Sequence, residues 1–176
     1  LQHNFKLLRK DRTRHRGGGV CAFIANDLKV IAVDIPLNFV HVELLCFDLF
    51  VQDTNYRFIC CYRPPYYDIV AKDYVTDLIS CLNLLVNVEY TVLITGDLNL
   101  PDVDWDCFSA PSDTIQQPLA RFIQAEGFMQ YVNEHTRRNK TLDILLCNDP
   151  LIISECFTGP PIAKSDHDTV CFKVLL

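Results

Sequence analysis

The sequence predicts an α+β sandwich, in which two packed, mostly antiparallel β-sheets are flanked by helices. Short runs rich in Val, Ile, Phe and Tyr recur along the chain, with Asp, Asn, Gly or Pro between them. Two longer stretches instead show the apolar period of about 3.6 residues that is typical of an amphipathic helix. With 176 residues, 49% of them hydrophobic, the chain is long enough for one domain with a sizeable core.

The N-terminal half is predicted to hold four strands and one helix. The turn signal Arg16-Gly17-Gly18-Gly19 precedes the first strand, and the alternation over 40–44 is typical of a half-buried strand. These strands occupy 20–25, 28–35, 40–51 and 55–62. Pro64-Pro65 ends the strand pattern, and apolar residues at helical spacing predict a helix over 69–88.

The C-terminal half is predicted to hold a second helix between short strands. A strand at 90–95 ends at Gly96-Asp97, and the helix over 115–126 ends at Gly127. Three further strands occupy 142–147, 151–157 and 169–175. Residues 1–176 are therefore interpreted as one domain.

Charge is distributed unevenly. The chain carries a net charge of −6, which argues against a general nucleic-acid coat protein, but its first 16 residues hold six Lys or Arg and one acid. On charge alone, a solvated loop between strands is favoured there over a phosphate-contacting arm. No apolar run approaches the roughly 18 residues needed to cross a bilayer, so no membrane partner is expected.

The nine cysteines favour a reducing, intracellular setting. Their number is odd, none are spaced as Cys-x-x-Cys, and most lie inside apolar runs. Free cysteine commonly behaves as a small buried hydrophobic residue. We therefore expect neither disulfides nor a zinc cluster.

Four segments place polar groups at the ends of apolar strands, where rigid scaffolds hold reactive groups. They are Cys61–Pro65, Thr95–Trp105, Thr141–Leu145 and Ser165–Asp168. Taken singly, each has a plain interpretation as a turn, a polar loop or, for Tyr62, a packed aromatic ring. Together they suit phosphodiester hydrolysis, which needs a hard cation on oxygen ligands, an activated water and donors to the charge on phosphorus.

These motifs resemble those of the endonuclease/exonuclease/phosphatase superfamily, which includes abasic-site endonucleases and DNase I-like enzymes. Gly96-Asp97-Leu98-Asn99 is similar to its Gly-Asp-x-Asn motif, and Ser165-Asp166-His167 to its Ser-Asp-His motif. With Tyr62-Arg63-Pro64-Pro65 and Leu142-Asp143 in the same order, the chain resembles the endonuclease domain of non-LTR (LINE/CR1-like) retrotransposon polyproteins. The resemblance spans about residues 5–175 and implies a DNase I-like fold.

The resemblance also implies a catalytic role for five residues. Asp97 would orient or deprotonate the attacking water, and Asn99 would position that water and the phosphate. His167 would stabilise the charge that develops on phosphorus, and Asp143 would hold this histidine. Tyr62 would contact the phosphate.

The implied activity is that of a DNA endonuclease that requires Mg²⁺ or Mn²⁺. Asp166 and Asp97 are the expected metal-site carboxylates. DNA-binding residues are expected at Arg12, Arg14, Arg16, Arg63 and Arg137. The resemblance further implies a reverse transcriptase domain in a parent polyprotein and a nuclear location, and leaves the oligomeric state open.

One departure from the family pattern concerns the N-terminus. In the family, a strand with an asparagine and a strand with the metal-binding glutamate both precede the basic, Gly-rich segment, which here begins near residue 9. Glu43 lies after that segment and is not equivalent to the family's glutamate. We therefore expect a domain that lacks its first strands, binds Mg²⁺ poorly and cuts DNA slowly or not at all.

Two alternatives stay open at this point. The chain could be a non-catalytic remnant or a binding module of the same fold, or a phosphatase of the same superfamily. Tyr62-Arg63-Pro64-Pro65 and Asp104-Trp105 favour the nuclease over the phosphatase.

Overall fold

The computed structural model describes residues 4–12, 18–65, 69–112 and 115–175. These ranges hold ten strands, two α-helices and a 3₁₀ turn at Leu37–Phe39. The strands are β1 (Phe5–Lys10), β2 (Val20–Ala25), β3 (Lys29–Val33), β4 (Leu44–Val51), β5 (Thr54–Cys61), β6 (Thr91–Asp97), β7 (Met129–Gln130), β8 (Asp143–Cys147), β9 (Ile153–Gly159) and β10 (Thr169–Val174). The helices are α1 (Ile69–Val86) and α2 (Gln116–Ala125).

A six-stranded sheet forms the centre of the fold, in the order β3-β4-β5-β6-β8-β7. Its neighbouring strands are antiparallel except for β5 and β6, which are parallel and are connected through α1. A parallel pair needs such a crossover, because the chain must return to the same end of the sheet. As a result, β5 and β6 end at the same edge.

The central sheet is buried on both faces. On one face, Leu44, Ile59 and Ile94 pack with residues of the two helices such as Leu78 and Ile123. These five side chains are at most 1% exposed, which places the main core between sheet and helices. Because β4, β5 and β6 present apolar side chains to both faces, they occur in the sequence as nearly continuous apolar runs.

Two antiparallel hairpins lie on the other face of the sheet. β9 and β10 pair with each other, and Cys156, Val170 and Phe172 pack against Leu93 and Leu145 of the sheet. β1 pairs with β2, and this hairpin contacts β4 and β5. Two layers of mostly antiparallel strands with helices outside them confirm the predicted α+β sandwich.

Two local predictions are wrong. The basic segment was expected to be a solvated loop, but residues 5–10 form β1, whose ladder with β2 satisfies the backbone groups that a loop would leave to water. The predicted strand at 40–51 begins only at Leu44, because the 3₁₀ turn and Val40–Glu43 bring the chain into the sheet. The buried side chain in that approach is Val42, at 0% exposure.

All nine cysteines lie in the described ranges and are free thiols, in agreement with the absence of a disulfide framework. Burial raises the pKa of Cys60 and Cys81 to about 11, which keeps these thiols protonated and unreactive. Within the part of the chain that the structure describes, none of the helices has the length and apolar character to cross a membrane.

Candidate functional site

The polar segments at the strand ends meet at one edge of the central sheet. Tyr62 follows β5, and Asp97 ends the parallel neighbour β6. Asp143 begins the antiparallel strand β8 and is the register partner of Asp97. The sheet topology therefore brings together residues that are far apart in the sequence.

Gly96 allows β6 to reach this edge. Its φ of +130° lies in a region that favours glycine, and a Cβ at this position would lie 2.0 Å from the carbonyl oxygen of Cys61. Any side chain would therefore force the parallel strands apart. This close approach is the physical reason for glycine beside Asp97.

The loop after β6 is held from within the protein by Arg63. Arg63 is 1% exposed, and its guanidinium donates to the carbonyl oxygens of Leu98 at 2.6 Å, of Pro64 at 3.3 Å and of Asn99. Asn99 adopts a left-handed φ of +48°, and its Nδ2 donates to the Arg63 carbonyl at 2.8 Å. The Asn99 amide N–H donates to Asp97 Oδ1 at 3.0 Å, which orients the carboxylate.

Asp143 and His167 form a hydrogen-bonded dyad. The His167 Nδ1 lies 2.7 Å from Asp143 Oδ2, and the two side chains are 21% and 23% exposed. The Ser165 hydroxyl accepts from the His167 amide at 3.0 Å, and the buried Thr136 hydroxyl accepts from the Asp143 amide at 3.0 Å. An imidazole held in this way by a carboxylate on one nitrogen presents its other nitrogen to the site.

Asp97 completes a compact group with this dyad. Single ligand atoms of Asp97, Asp143 and His167 all lie within 4.8 Å of one another, and this is the group among the described residues that could hold a metal ion. Burial, and next the charge of Asp143, raise the pKa of Asp97 to about 6. A carboxylate with such a pKa titrates close to neutrality, as a general base requires.

The donor set of this group fits a hard divalent cation. Mg²⁺ is usually bound by one or two carboxylates together with waters and phosphate oxygens, and Asp97 and Asp143 supply two carboxylates. Because Asp143 is engaged by His167, Asp97 is the carboxylate that remains for a cation or a water. Carboxylate oxygens suit Mg²⁺ and Mn²⁺, and which cation binds stays a prediction.

Tyr62 lies beside this group on the β5 side. Burial, and next the charge of Asp97, raise the pKa of Tyr62, so its hydroxyl stays protonated as a hydrogen-bond donor. The ring is partly buried, and the Arg12 guanidinium carbon lies 5.6 Å from the ring centroid.

Asp166, the other carboxylate expected at the metal site, is paired with Arg137 and is not one of the three residues grouped around Asp97. Arg137 donates to Asp166 Oδ2 through Nε at 2.8 Å and through Nη2 at 2.6 Å. This hydrogen bond lowers the pKa of Asp166, which lies at the surface with a 64% exposed side chain. A metal-binding role for Asp166 and a DNA contact for Arg137 stay predictions.

The other expected DNA contacts have different outcomes. The DNA contact predicted for Arg63 is wrong, because its buried guanidinium is directed to backbone carbonyls. Arg12 is ion-paired with Glu43 and has a 16% exposed side chain, which weighs against a free phosphate contact. Arg14 and Arg16 lie outside the described residues.

Sequence reasoning missed three residues that support the site. They are Thr136, Glu43 and Tyr74, of which only Glu43 was considered from the sequence, and it was not assigned to the site. Thr136 orients Asp143, whereas Glu43 and Tyr74 contact the backbone of Tyr62. A glutamate next to an apolar strand was the available signal, since a buried carboxylate requires partners.

Comparison with known proteins identifies the relatives of this site. The family model described as "Endonuclease-reverse transcriptase" matches residues 56–171. That range contains Tyr62, Asp97, Asp143 and His167. No curated protein matches the chain.

Solved structures share the fold at low sequence identity. The endonuclease domain of TRAS1, a telomere-specific non-LTR retrotransposon, is 13% identical with a TM-score of 0.69 over 98% of this chain and 80% of that chain. An AP endonuclease from Archaeoglobus fulgidus is 14% identical with a TM-score of 0.65, covering 99% of this chain and 81% of its own. The 3′ phosphatase NExo from Neisseria, bound to product DNA hairpin, is 10% identical with a TM-score of 0.66, covering 99% and 81%.

Proposed function

The chain belongs to the endonuclease-reverse transcriptase family of the endonuclease/exonuclease/phosphatase superfamily, and on that premise we propose that its site hydrolyses phosphodiester bonds of DNA with Mg²⁺ or Mn²⁺. The observation that carries the proposal is the group of Asp97 with the Asp143–His167 dyad within 4.8 Å at one sheet edge. Attack of water on a phosphodiester needs a group that accepts a proton and a donor to the charge that develops on phosphorus, and a carboxylate beside a fixed imidazole can supply both.

In this proposal, the residues on the two sides of the phosphate have different tasks. Asp97, with its pKa raised to about 6, accepts a proton from the attacking water or orients it. Asn99, fixed through Arg63, positions the water and the phosphate. A bound divalent cation would lie at Asp97 and would supply charge neutralisation at the phosphate oxygens.

The dyad and Tyr62 provide donors to the charge that develops on phosphorus. Asp143 favours a proton on His167 Nδ1 and so orients the ring, leaving Nε2 for a phosphate oxygen. The Tyr62 hydroxyl is a second donor from the neighbouring strand end. The His167 ring is held by Asp143, and the Tyr62 backbone is held by hydrogen bonds to the Glu43 carbonyl and from the Tyr74 hydroxyl.

A basic rim beside the site supports DNA as the substrate. A cleft of about 270 Å³ next to Asn99 is lined by Arg137, Arg138 and Lys140. Arg137 and Lys140 have exposed carboxylate partners, Asp166 and Asp102, which they would have to exchange for phosphates. The tight turn that carries them closes by hydrogen bonds between Arg137 and Lys140, and Arg138 has a left-handed φ of +53°. Cations at this position suit the phosphates on either side of the scissile bond.

The wider proposal is that this site is the endonuclease of a retrotransposon-type element, nuclear in location and joined in a polyprotein to a reverse transcriptase domain. The family match and the retrotransposon endonuclease among the fold neighbours support it. A binding module without catalysis and a phosphatase are the outcomes against which it is tested.

Nicking of supercoiled plasmid tests the proposal directly. In keeping with the poor Mg²⁺ binding expected from the sequence, we expect slow nicking that requires Mg²⁺ or Mn²⁺ and disappears with a chelator and in Asp97→Asn. Phosphate release from a phosphomonoester without nicking would assign a phosphatase. DNA binding without either reaction would assign a binding module and overturn the catalytic proposal.

A further inference from the structure

A second polar cluster lies next to the candidate site and is centred on the Glu43 carboxylate. Arg12 donates to Glu43 Oε1 through Nε at 2.7 Å and through Nη2 at 2.5 Å. The amide of Gly19 donates to Glu43 Oε2 at 2.5 Å. With side chains 16% and 9% exposed, Arg12 and Glu43 form a largely buried ion pair that joins the β1–β2 hairpin to the central sheet.

This cluster holds Tyr62 through both its backbone and its ring. The Tyr62 amide donates to the Glu43 carbonyl at 2.9 Å. The Tyr74 hydroxyl of α1 accepts from the Glu43 amide at 3.0 Å and donates to the Tyr62 carbonyl at 3.1 Å. The Arg12 guanidinium, fixed by Glu43, lies 5.6 Å from the centre of the Tyr62 ring, within the range of a cation–π contact.

Glycine in the segment before β2 is required by this ion pair. A Cβ on Gly18 would lie 2.4 Å from the Arg12 guanidinium and 2.5 Å from Glu43 Oε2, and the φ of Gly18 is +83°. The segment passes over the ion pair too closely for a side chain. Part of the Gly-rich motif is thereby explained by the cluster rather than by a turn alone.

We propose that Arg12 and Glu43 are positioning residues that hold the Tyr62 ring and hydroxyl in the catalytic site. The inference rests on the proposed function, in which Tyr62 is a donor to the phosphate. It replaces the expectation that Arg12 contacts DNA, because a guanidinium held on a buried carboxylate faces Tyr62. The alternative is that the pair only attaches the hairpin to the sheet.

A matched control exists in the same sheet. Asp48 of β4 and Arg57 of β5 form another buried pair with N–O distances of 2.7 and 2.8 Å, and the Arg57 guanidinium carbon lies 5.6 Å from the Tyr90 ring centroid. This pair repeats the Arg–carboxylate–tyrosine arrangement in the half of β5 remote from Tyr62, where Arg57 also donates to the Leu85 carbonyl at 3.0 Å. Replacing Arg57 should therefore reproduce the loss of stability that is caused by replacing Arg12, without affecting the site.

The first test is spectroscopic and does not depend on nuclease activity. In the aromatic ¹H–¹³C NMR spectrum of tyrosine-labelled protein, the Tyr62 ring signal is identified by its loss in Tyr62→Phe. Arg12→Met and Gly18→Ala are expected to move this signal and to leave Tyr90 in place. Arg57→Met is expected to move the Tyr90 signal and to leave the Tyr62 signal in place. Arg12→Lys should displace the Tyr62 signal less than Arg12→Met does.

The second test separates positioning from DNA contact. Arg12→Met is expected to lower kcat by about 10- to 100-fold, because misplacing a catalytic group has effects of this size. We expect KM and the salt dependence of DNA binding to stay unchanged, and we expect no further kcat loss when Arg12→Met is added to Tyr62→Phe.

The outcomes distinguish this inference from the proposed function. A Tyr62 signal unmoved by Arg12→Met or Gly18→Ala would overturn the positioning role, as would a change confined to KM and the salt slope. If Arg12→Met lowered kcat equally in the wild-type and Tyr62→Phe backgrounds, the Arg12–Glu43 pair would serve only to attach the hairpin to the sheet. A wild-type protein that cuts no DNA, while Arg12→Met still moves the Tyr62 signal, would refute the proposed reaction and leave the positioning of Tyr62 intact.

Discussion

Replacing Asp97 with asparagine is expected to stabilise the protein near neutral pH while removing the proposed activity. The carboxylate is partly buried and faces Asp143, and for these reasons its pKa is raised from 3.8 to about 6. The side-chain oxygen of the introduced amide can still accept from the Asn99 amide N–H, as the Asp97 carboxylate does at 3.0 Å. The substitution therefore removes a charge and keeps the local geometry.

The size and the pH range of the effect follow from this pKa. Between pH 3.8 and about 6 the folded state binds more protons at Asp97 than the unfolded state, so stability falls as the pH rises through that interval. A pKa shift of about two units corresponds to about 3 kcal/mol in the free energy of unfolding. Because the carboxylate is partly solvated, we expect about 1–2 kcal/mol. Above about pH 6, the free energy of unfolding of Asp97→Asn should exceed that of wild type by this amount, and the difference should vanish below pH 3.8.

Urea denaturation of both proteins across this pH interval measures the difference in the free energy of unfolding. Asp53→Asn is the control, because Asp53 is exposed in the turn between β4 and β5 and its loss should change stability by less than about 0.5 kcal/mol. An Asp97→Asn protein that is no more stable than wild type above pH 6 would show that the carboxylate carries no electrostatic penalty. The argument for Asp97 as a near-neutral base would then fail.

Three further expectations concern the same edge of the sheet. Mg²⁺ or Mn²⁺ should raise the melting temperature of wild type but not of Asp97→Asn, with about 1.4 kcal/mol gained for each tenfold excess of cation over its Kd; equal shifts would place the cation elsewhere. His167→Gln and Asp143→Asn should each lower the nicking rate by about 100-fold or more, and the double variant should lose little beyond the greater single loss; multiplicative losses would contradict a dyad. Gly96→Ala should cost about 3 kcal/mol or more in a melting experiment, whereas Gly127→Ala, with open space around the new methyl group, should cost about 1 kcal/mol; similar costs would remove the role assigned to the contact with Cys61.

The sequence was sufficient to predict the features that depend on local pattern. The helix predicted over 69–88 spans Ile69–Val86, and the helix predicted over 115–126 spans Gln116–Ala125. The strands predicted over 55–62 and 142–147 span Thr54–Cys61 and Asp143–Cys147, because an apolar run that stops at a polar turn marks the end of a strand. The Asp143–His167 contact followed from the resemblance, and the structure has the two side chains 2.7 Å apart.

Features set by distant partners were not predictable from local pattern. In β1 the half-buried positions include the charged Lys6 and Lys10, whereas the exposed positions include the apolar Phe5 and Leu7. The run therefore lacks the pattern of a strand with one apolar buried face, and only its pairing with β2 shows that it is a strand. Arg63 was expected to contact DNA, although its side chain is buried inside the protein. Two of the three carbonyl oxygens that accept from its guanidinium belong to residues 35 and 36 positions further along the chain.

The register of β8 shows why the supporting residues matter as much as the reactive ones. Ile144, Leu145, Leu146 and Cys147 are all at most 1% exposed, so an alternation of apolar and polar faces does not fix how β8 pairs with β6. A slip of one residue would turn Asp143 to the opposite face of the sheet. The amides of Leu142 and Asp143 donate to the Thr136 hydroxyl, and the Leu98 amide donates to the Leu142 carbonyl. These polar contacts are specific to one register, and so they hold Asp143 at the site together with the packing of β8 in the core.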